Sequence, residues 1–498
     1  MNRNVRIAAA LTVVGLVSGC SGIGLITNDL FNTVSKGKPA TNEVLASCGP
    51  KCAEMADLFI ADLHADPFLW GRDIRKLEDY GHVDIPRLRK AGVDLQVFSV
   101  PSSTPWGLRP FTKAKRPEDA KIQHPVDDRF IDPEERYADY GGLKCTRPGI
   151  NLDTSKTLSL LTRGETDTRR IAFWQAKAFC EASGGTPVMD DEDGRLFRHC
   201  HYQKKPELRE PDQDGGDNLF PIFTRQDLEA LRNFNAARSI DKRAVGGLLS
   251  IEGVHWIWDS SVVKPEIKAL KDAGFRMIGL THKFTNRLAG SDEDCRKPPG
   301  LTPLGVEVVR EVLDQGLILD VAHLSADSLL RGSQKPKSVM EILQEAPYRS
   351  RKPLPVVMSH GGVRLPYCEN PRNLPDQHVD ALMEAEVPFG IIQWDQAYCV
   401  SRRPRETVVR RILDAYAHSV KLAGWDTATN ALALGADLDG AVRAPFDVTG
   451  FPYLLSRIAA SDWCEAKGRE ACRTAIARIA GENVYDVLIA SLPEWPTE

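Results

Sequence analysis

The chain has 498 residues, 64 Lys and Arg against 68 Asp and Glu, and a formal net charge of -4 at pH 7. That length can bury a sizeable core. The two signs of charge are interspersed without a basic block, which speaks against a nucleic-acid partner. Of the eleven Cys, all but the one at position 20 form an even set of ten, so disulfides are plausible if the chain is exported.

At the start, Arg3 and Arg6 precede an apolar run over 7–17 and then Ser18-Gly19-Cys20. This is the n-region and h-region of a secretory signal, too short to span a bilayer as a mature helix. The small residues before Cys20 resemble a bacterial lipobox, in which cleavage leaves Cys20 as a lipid-bearing N-terminus. The expectation is a signal peptide over 1–19, a polar tether over 20–45 and one barrel domain over 46–498. The product would be an exported bacterial lipoprotein, anchored through its lipid on the periplasmic or outer-membrane face.

The first strand ends in Asp62-Leu63-His64-Ala65-Asp66. Residues i and i+2 of a strand point the same way, so His64 and Asp66 can face one pocket and share a borderline metal such as zinc. His82-Val83-Asp84-Ile85-Pro86-Arg87-Leu88 reads as a turn into a short helix, and residues 94–100 as a second strand. Between 101 and 221 the pattern breaks down into Pro, Gly, Asp and Arg, with one helix near 166–182. This reads as an insertion between strands 2 and 3, pinned by disulfides, with Cys180 and Cys200 a candidate pair. Regularity then returns. Helices are expected at 225–237, 263–273, 306–315, 338–345, 378–385, 405–423 and in the tail at 472–490. Strands are expected at 245–252, 277–282, 317–323, 354–360, 387–394 and 431–437.

The result is eight continuously apolar strands alternating with helices, the pattern of a parallel sheet covered on both faces. The fold class expected is α/β, a (β/α)8 TIM-type barrel with its site at the C-terminal strand ends. There the polar residues gather: His64, Asp66, Glu252, His282, His323, His360 and Asp437 all fall at strand ends. Four imidazoles and three carboxylates around one mouth would be costly to leave uncompensated, and a metal pair removes that cost. His82, His378 and His418 read as surface or helix residues, His255 and Trp256 as loop packing, and His124, His199 and His201 as a solvated loop. Cys464 and Cys472 are spaced to close a short local loop.

Eight strings, from Asp62-Leu63-His64-Ala65-Asp66-Pro67 and His82-Val83-Asp84-Ile85-Pro86-Arg87-Leu88 onward, resemble the membrane (renal-type) dipeptidases, binuclear zinc peptidases. The others are Ile251-Glu252-Gly253, Leu280-Thr281-His282, Asp320-Val321-Ala322-His323-Leu324-Ser325, Ser359-His360, Arg372-Asn373-Leu374-Pro375-Asp376 and Gly435-Ala436-Asp437-Leu438-Asp439-Gly440. They run in the family's order from about 57 to 490. The resemblance implies two zinc ions per chain, one on His64 and Asp66 and one on His323 and His360. Glu252 would bridge them together with a hydroxide. It further implies that His282 contacts the scissile carbonyl and stabilises the oxyanion, and that Arg372 binds the substrate's free carboxylate. Asp437 would move the proton from water to the leaving amine, with Asp439 pointing the same way as a lesser candidate. A disulfide between Cys368 and Cys399 is implied too, and a homodimer is an expectation of the resemblance alone. A second family disulfide would need Cys near Ser102 and Phe284, and neither position has one.

The chain departs from the family in its long insertion and in Gly361-Gly362-Val363-Arg364 after His360, where a Ser-rich stretch would stand. Arg364 adds a second cation able to reach a substrate carboxylate. Three functions follow for testing. The first is a zinc dipeptidase acting on short dipeptides. The second is a binuclear-metal amidohydrolase acting on N-acyl amino acids or cell-wall fragments. The third is a lipoprotein that keeps the fold as a binding or structural module.

Overall fold

The computed structural model describes residues 50–70, 72–78, 81–102, 168–189, 197–203, 206–210, 219–283, 285–293, 300–330, 337–401 and 403–494. The signal peptide, Cys20, the tether, His124, Cys145 and residues 103–167 of the insertion lie outside these. Eight parallel strands form the body: β1 (Ile60–Ala65), β2 (Val93–Phe98), β3 (Gly246–Ile251), β4 (Phe275–Gly279), β5 (Ile318–Asp320), β6 (Val356–Val363), β7 (Phe389–Ile391) and β8 (Leu432–Leu434). Each pairs with the next in sequence, and β8 returns to β1 through Asp62 opposite Leu434, so the sheet closes on itself. This is the (β/α)8 barrel. Its strands are almost wholly buried, which is why they read as unbroken apolar runs rather than alternating ones.

Two apolar clusters hold the body together. One gathers Leu63, Leu95, Leu248, Met277, Ile318, Val357 and Ala433 from seven strands. The larger one buries the apolar faces of the surrounding helices, among them Leu270, Leu313, Leu382, Ile412 and Leu454. Helix starts follow local capping chemistry. In α1 (Ile85–Lys90), Asp84 accepts from Arg87 N. The end of α2 (Thr168–Ala182) is tied by the Cys180–Cys200 disulfide to a hairpin made by Thr186–Met189 and Phe197–His201. Thr224 and Asp227 form a capping box at α3 (Arg225–Ala236).

The helix at 263–273 begins earlier than expected, as α4 (Ser260–Asp272), because Asp259 caps it. Likewise α5 (Pro303–Asp314) starts at a Thr302 cap with Pro303 in first position. The expected solvated loop around His199 and His201 is instead that hairpin. Part of the insertion packs onto the barrel: Phe179 of α2 sits against Phe68 and Phe98, and Phe173 against Phe275.

Disulfides also join Cys368 to Cys399 and Cys464 to Cys472. His82, expected at the surface or on a helix, is fully buried in the turn before α1. The reason is long-range. Asp439, 357 positions away, donates its backbone N–H to His82 Nδ1 (3.1 Å), and its carboxylate accepts the backbone N–H of His82 (2.7 Å) and of Val83 (3.0 Å).

Candidate metal centre

His64 lies inside β1 and His360 inside β6, while Asp66 and Glu252 stand one residue past β1 and β3. The other three come from the loops: His282, His323 and Asp437 are each three residues beyond β4, β5 and β8. His323 (φ 63°) and Asp437 (φ 59°) are left-handed, a conformation that costs a non-glycine residue of order 1–3 kcal/mol and persists only where the surroundings impose it. In both cases a left-handed turn stands where the strand alternation would otherwise have continued.

These turns bring the seven side chains together. Glu252 Oε1 lies 3.3 Å from His64 Nε2, 3.1 Å from His323 Nε2 and 3.4 Å from His360 Nε2. The other oxygen, Oε2, is 3.4 Å from His282 Nε2. His64 Nε2 also faces Asp66 Oδ1 at 3.3 Å and Asp437 Oδ1 at 3.8 Å. His323 and His360 meet Nε2 to Nε2 at 3.0 Å. Ligand-type atoms of His64, Glu252 and His360, of Glu252, His282 and His323, and of His64, Asp66 and Asp437 each fall within 4.8 Å of one another. All seven residues are buried, Asp437 most open at 8%.

The electrostatics show what such a cluster lacks. Burial pushes Glu252 well up and Asp437 up to about 7. Burial likewise drives His282, His323 and His360 well down, which favours the neutral imidazole a metal needs. At His64 burial works in the same sense, but the Glu252 and Asp66 carboxylates outweigh it and raise the imidazole to about 10. So much negative charge favours any cation at His64 Nε2, whether proton or metal.

The residues fit a metal on a second ground. His64 Nε2 and Asp66 Oδ1 are buried and make no hydrogen bond among the described residues, although they face each other. Outer contacts fix the rings: Ser359 Oγ is 3.0 Å from His360 Nδ1 and 3.4 Å from His64 Nδ1.

Arg372 stands beside this cluster. A short strand, Asn373–Leu374, pairs with the end of β6, Asn373 opposite Gly362. A Cβ at Gly362 would collide with the Asn373 side chain, so the glycine pair after His360 permits this close approach. The guanidinium is 2% exposed and donates to Asp292 Oδ2 (2.6 Å) and to the His360 carbonyl (3.2 Å). Arg364 is half-buried, and its charge is felt at His378.

Asp439 does not join the site. It ion-pairs with Arg72 and accepts the His82 and Val83 amides, as described above. Three left-handed residues, Asp437, Asp439 and Ala441, remove the alternation that would have aimed it with Asp437. Sequence reasoning missed Ser359, Asp292 and Glu293. The first stands beside His360; the acids sit in an aperiodic loop with no pattern to mark them.

Comparison with known proteins accords with this geometry. Residues 222–490 match the model of the membrane dipeptidases, peptidase family M19. The chain belongs to this family. A Schizosaccharomyces pombe protein named as an uncharacterized dipeptidase is 25% identical over 248 residues, 49% of this chain and 52% of its own. The chain therefore spans about half the length of the curated relative it matches.

Among solved structures, one similar fold is a metallo peptidase from Rhodobacter sphaeroides liganded with a phosphinate mimic of the dipeptide L-Ala-D-Ala. Its TM-score is 0.51, with 17% identity, covering 87% of this chain and 99% of that one. Another is the probable dipeptidase PvdM from Pseudomonas aeruginosa, with TM-score 0.53 and 13% identity, covering 90% and 98%. At these identities the likeness shows the barrel fold alone.

Proposed function

We propose that this M19 chain is an exported, lipid-anchored zinc dipeptidase that hydrolyses the peptide bond of short dipeptides. The observation that carries the reading is the buried cluster in which one carboxylate, Glu252, faces imidazoles from four strand ends with Arg372 alongside.

In this reading His64 and Asp66 would hold one zinc and His323 and His360 the other, with Glu252 the carboxylate that would serve both. The bound pair would supply Lewis-acid polarisation of a carbonyl and a water of lowered pKa. The chain's own residues do the rest. Arg372 binds the free carboxylate of the substrate with donors not committed to Asp292 and His360, which sets the scissile bond over the mouth. His282, kept neutral by burial, lies next to Glu252 and donates to the carbonyl oxygen as charge develops there. Asp437, raised to about 7 by burial, takes a proton from the attacking water and passes it to the leaving amine.

Export is supported by the sequence reading of Cys20 and by three disulfides among the described residues, which belong to an oxidising compartment. No helix among those residues is long and apolar enough to cross a membrane, and the attachment proposed is the lipid at Cys20. A homodimer remains part of the proposal on family grounds only.

Short dipeptides, the R. sphaeroides protein's L-Ala-D-Ala pattern included, should be assayed beside the same dipeptides amidated at the C-terminus. Cleavage confined to free carboxylates supports the reading. Equal cleavage of the amides contradicts the role of Arg372, and turnover of acylated amino acids alone would replace the dipeptide with that substrate class.

A further inference from the structure

The loop after β4 carries two acids that neither the metal reading nor the substrate reading uses. Asp292 and Glu293 lie between Arg372 and His323 and touch both. The distances divide them. Arg372 Nη1 is 2.6 Å from Asp292 Oδ2, whereas its Nε is 3.7 Å from Glu293 Oε1. His323 Nδ1 is 3.2 Å from Glu293 Oε1 and 3.7 Å from Asp292 Oδ1, within pairing distance though not aligned as a hydrogen bond to either.

Asp292 is not a surface group leaning inward, and Glu293 is half-buried. Asp292 N donates to the His323 carbonyl (3.1 Å), Ser325 N to the Gly290 carbonyl (2.8 Å), and Ser291 Oγ to the His282 carbonyl (2.5 Å). The segment is stitched to both loops that carry site histidines. Asp292 is 7% exposed.

We propose that these are positioning residues with divided duties: Asp292 sets the plane of the Arg372 guanidinium, and Glu293 orients His323 through its Nδ1. The assignment rests on the dipeptidase reading for the meaning of Arg372, but not for that of Glu293.

The physical grounds differ for the two. A buried guanidinium without a counter-charge is costly, and a carboxylate on one Nη fixes the direction of the remaining donors. An imidazole that offers Nε2 to a metal is held in that tautomer and rotation by an acceptor at Nδ1. A separate metal site on Asp292, Glu293 and His323 is disfavoured, because Nε2 of that one imidazole already faces Glu252 and the Arg372 cation occupies the Asp292 side.

The test uses Asp292→Asn and Glu293→Gln in the full chain, each checked for unchanged thermal unfolding. Zinc affinity is measured by competition with a chelator, and KM and kcat are measured on a dipeptide at saturating zinc. Glu293→Gln is expected to weaken zinc binding about 10–100-fold, with the KM of the loaded protein held. Asp292→Asn is expected to raise KM about 10-fold, the loss of a charge-assisted bond, with zinc affinity held.

Equal effects of both variants on both readouts, or no effect of either, overturns the division. If the unaltered chain cleaves no dipeptide, the functional reading fails. The zinc affinities still decide: a loss confined to Glu293→Gln supports the proposal, and zinc affinities unchanged in Glu293→Gln overturn it. Should Asp292→Asn not fold, Asp292→Glu keeps the charge but displaces it and serves as the KM probe, with a raised KM and held zinc affinity expected and an unchanged KM overturning the role of Asp292.

Discussion

Two buried charge clusters sit side by side at the mouth of this barrel, and they are built in opposite ways. In one, Asp439 pairs with Arg72, and Arg87 pairs with Asp84 and stands 3.3 Å from Asp447. Each carboxylate there has a guanidinium. In the other, Asp66, Glu252 and Asp437 meet only imidazoles at short range among the described residues, three of those rings driven toward neutrality. The first cluster sets two guanidiniums against three carboxylates, Arg87 shared by two of them, so the chain itself compensates most of its charge. The second gathers three carboxyls with Arg372 at its edge already paired to Asp292, and burial pushes two of them, Glu252 and Asp437, toward the protonated form, which a divalent pair would reverse. Compensation from within marks structure, and its lack marks a place for a ligand. The two are joined through the turn at 437–441, where Asp439 anchors the loop that aims Asp437.

The comparison predicts different injuries. Asp437→Asn should lower kcat by roughly 10²–10⁴-fold, as loss of a proton carrier does, with zinc content and unfolding midpoint unchanged. A fall in stability instead would put Asp437 in the structural cluster. Asp439→Ala leaves Arg72 buried without its partner and should lower unfolding free energy by about 3–5 kcal/mol in urea titration. A loss under 1 kcal/mol would show that the balanced cluster is not holding the turn.

A buried acid outside both clusters calibrates them. Asp94 accepts from Ile60 N (2.9 Å) and Asn235 Nδ2 (2.8 Å), and burial raises it to about 6. Its folded pKa exceeds its unfolded one, so the folded state binds that proton more tightly. Its contribution therefore leaves stability highest below pH 4, lowers it by about 3 kcal/mol as pH rises toward 6, and changes it little above. Urea titrations across that window, with Asp94→Asn alongside to remove the step, would check it. The smallest effect is expected of Arg72→Met combined with Asp439→Asn, whose amide oxygen can still accept from the His82 and Val83 amides. Removing both charges should leave stability well above that of Asp439→Ala, within about 1–2 kcal/mol of the parent chain. Losses that simply add would mean that the two residues do not act as a pair.

Sequence reading reached as far as short-range periodicity reaches. The eight strands were legible because burial on both faces makes them continuously apolar, and His64 with Asp66 because one strand aims positions i and i+2 alike. Asp439 was misread for the converse reason: left-handed residues at 437, 439 and 441 end the alternation. His82 read as a surface residue because its partner lies 357 positions away. Asp292 and Glu293 were invisible because their duties come from loop stitching to His282 and His323, which no local pattern records.

The central claim is that the uncompensated cluster holds metal and that Glu252 is its centre. The most direct measurement is zinc per chain, by elemental analysis, in the form beginning after Cys20 and in its Glu252→Ala variant, with dipeptide hydrolysis followed in both. About two zinc per chain with cleavage, and loss of both in the folded variant, is the result predicted. A metal-free chain that refuses added zinc, or a variant that binds and cleaves like its parent, would contradict it.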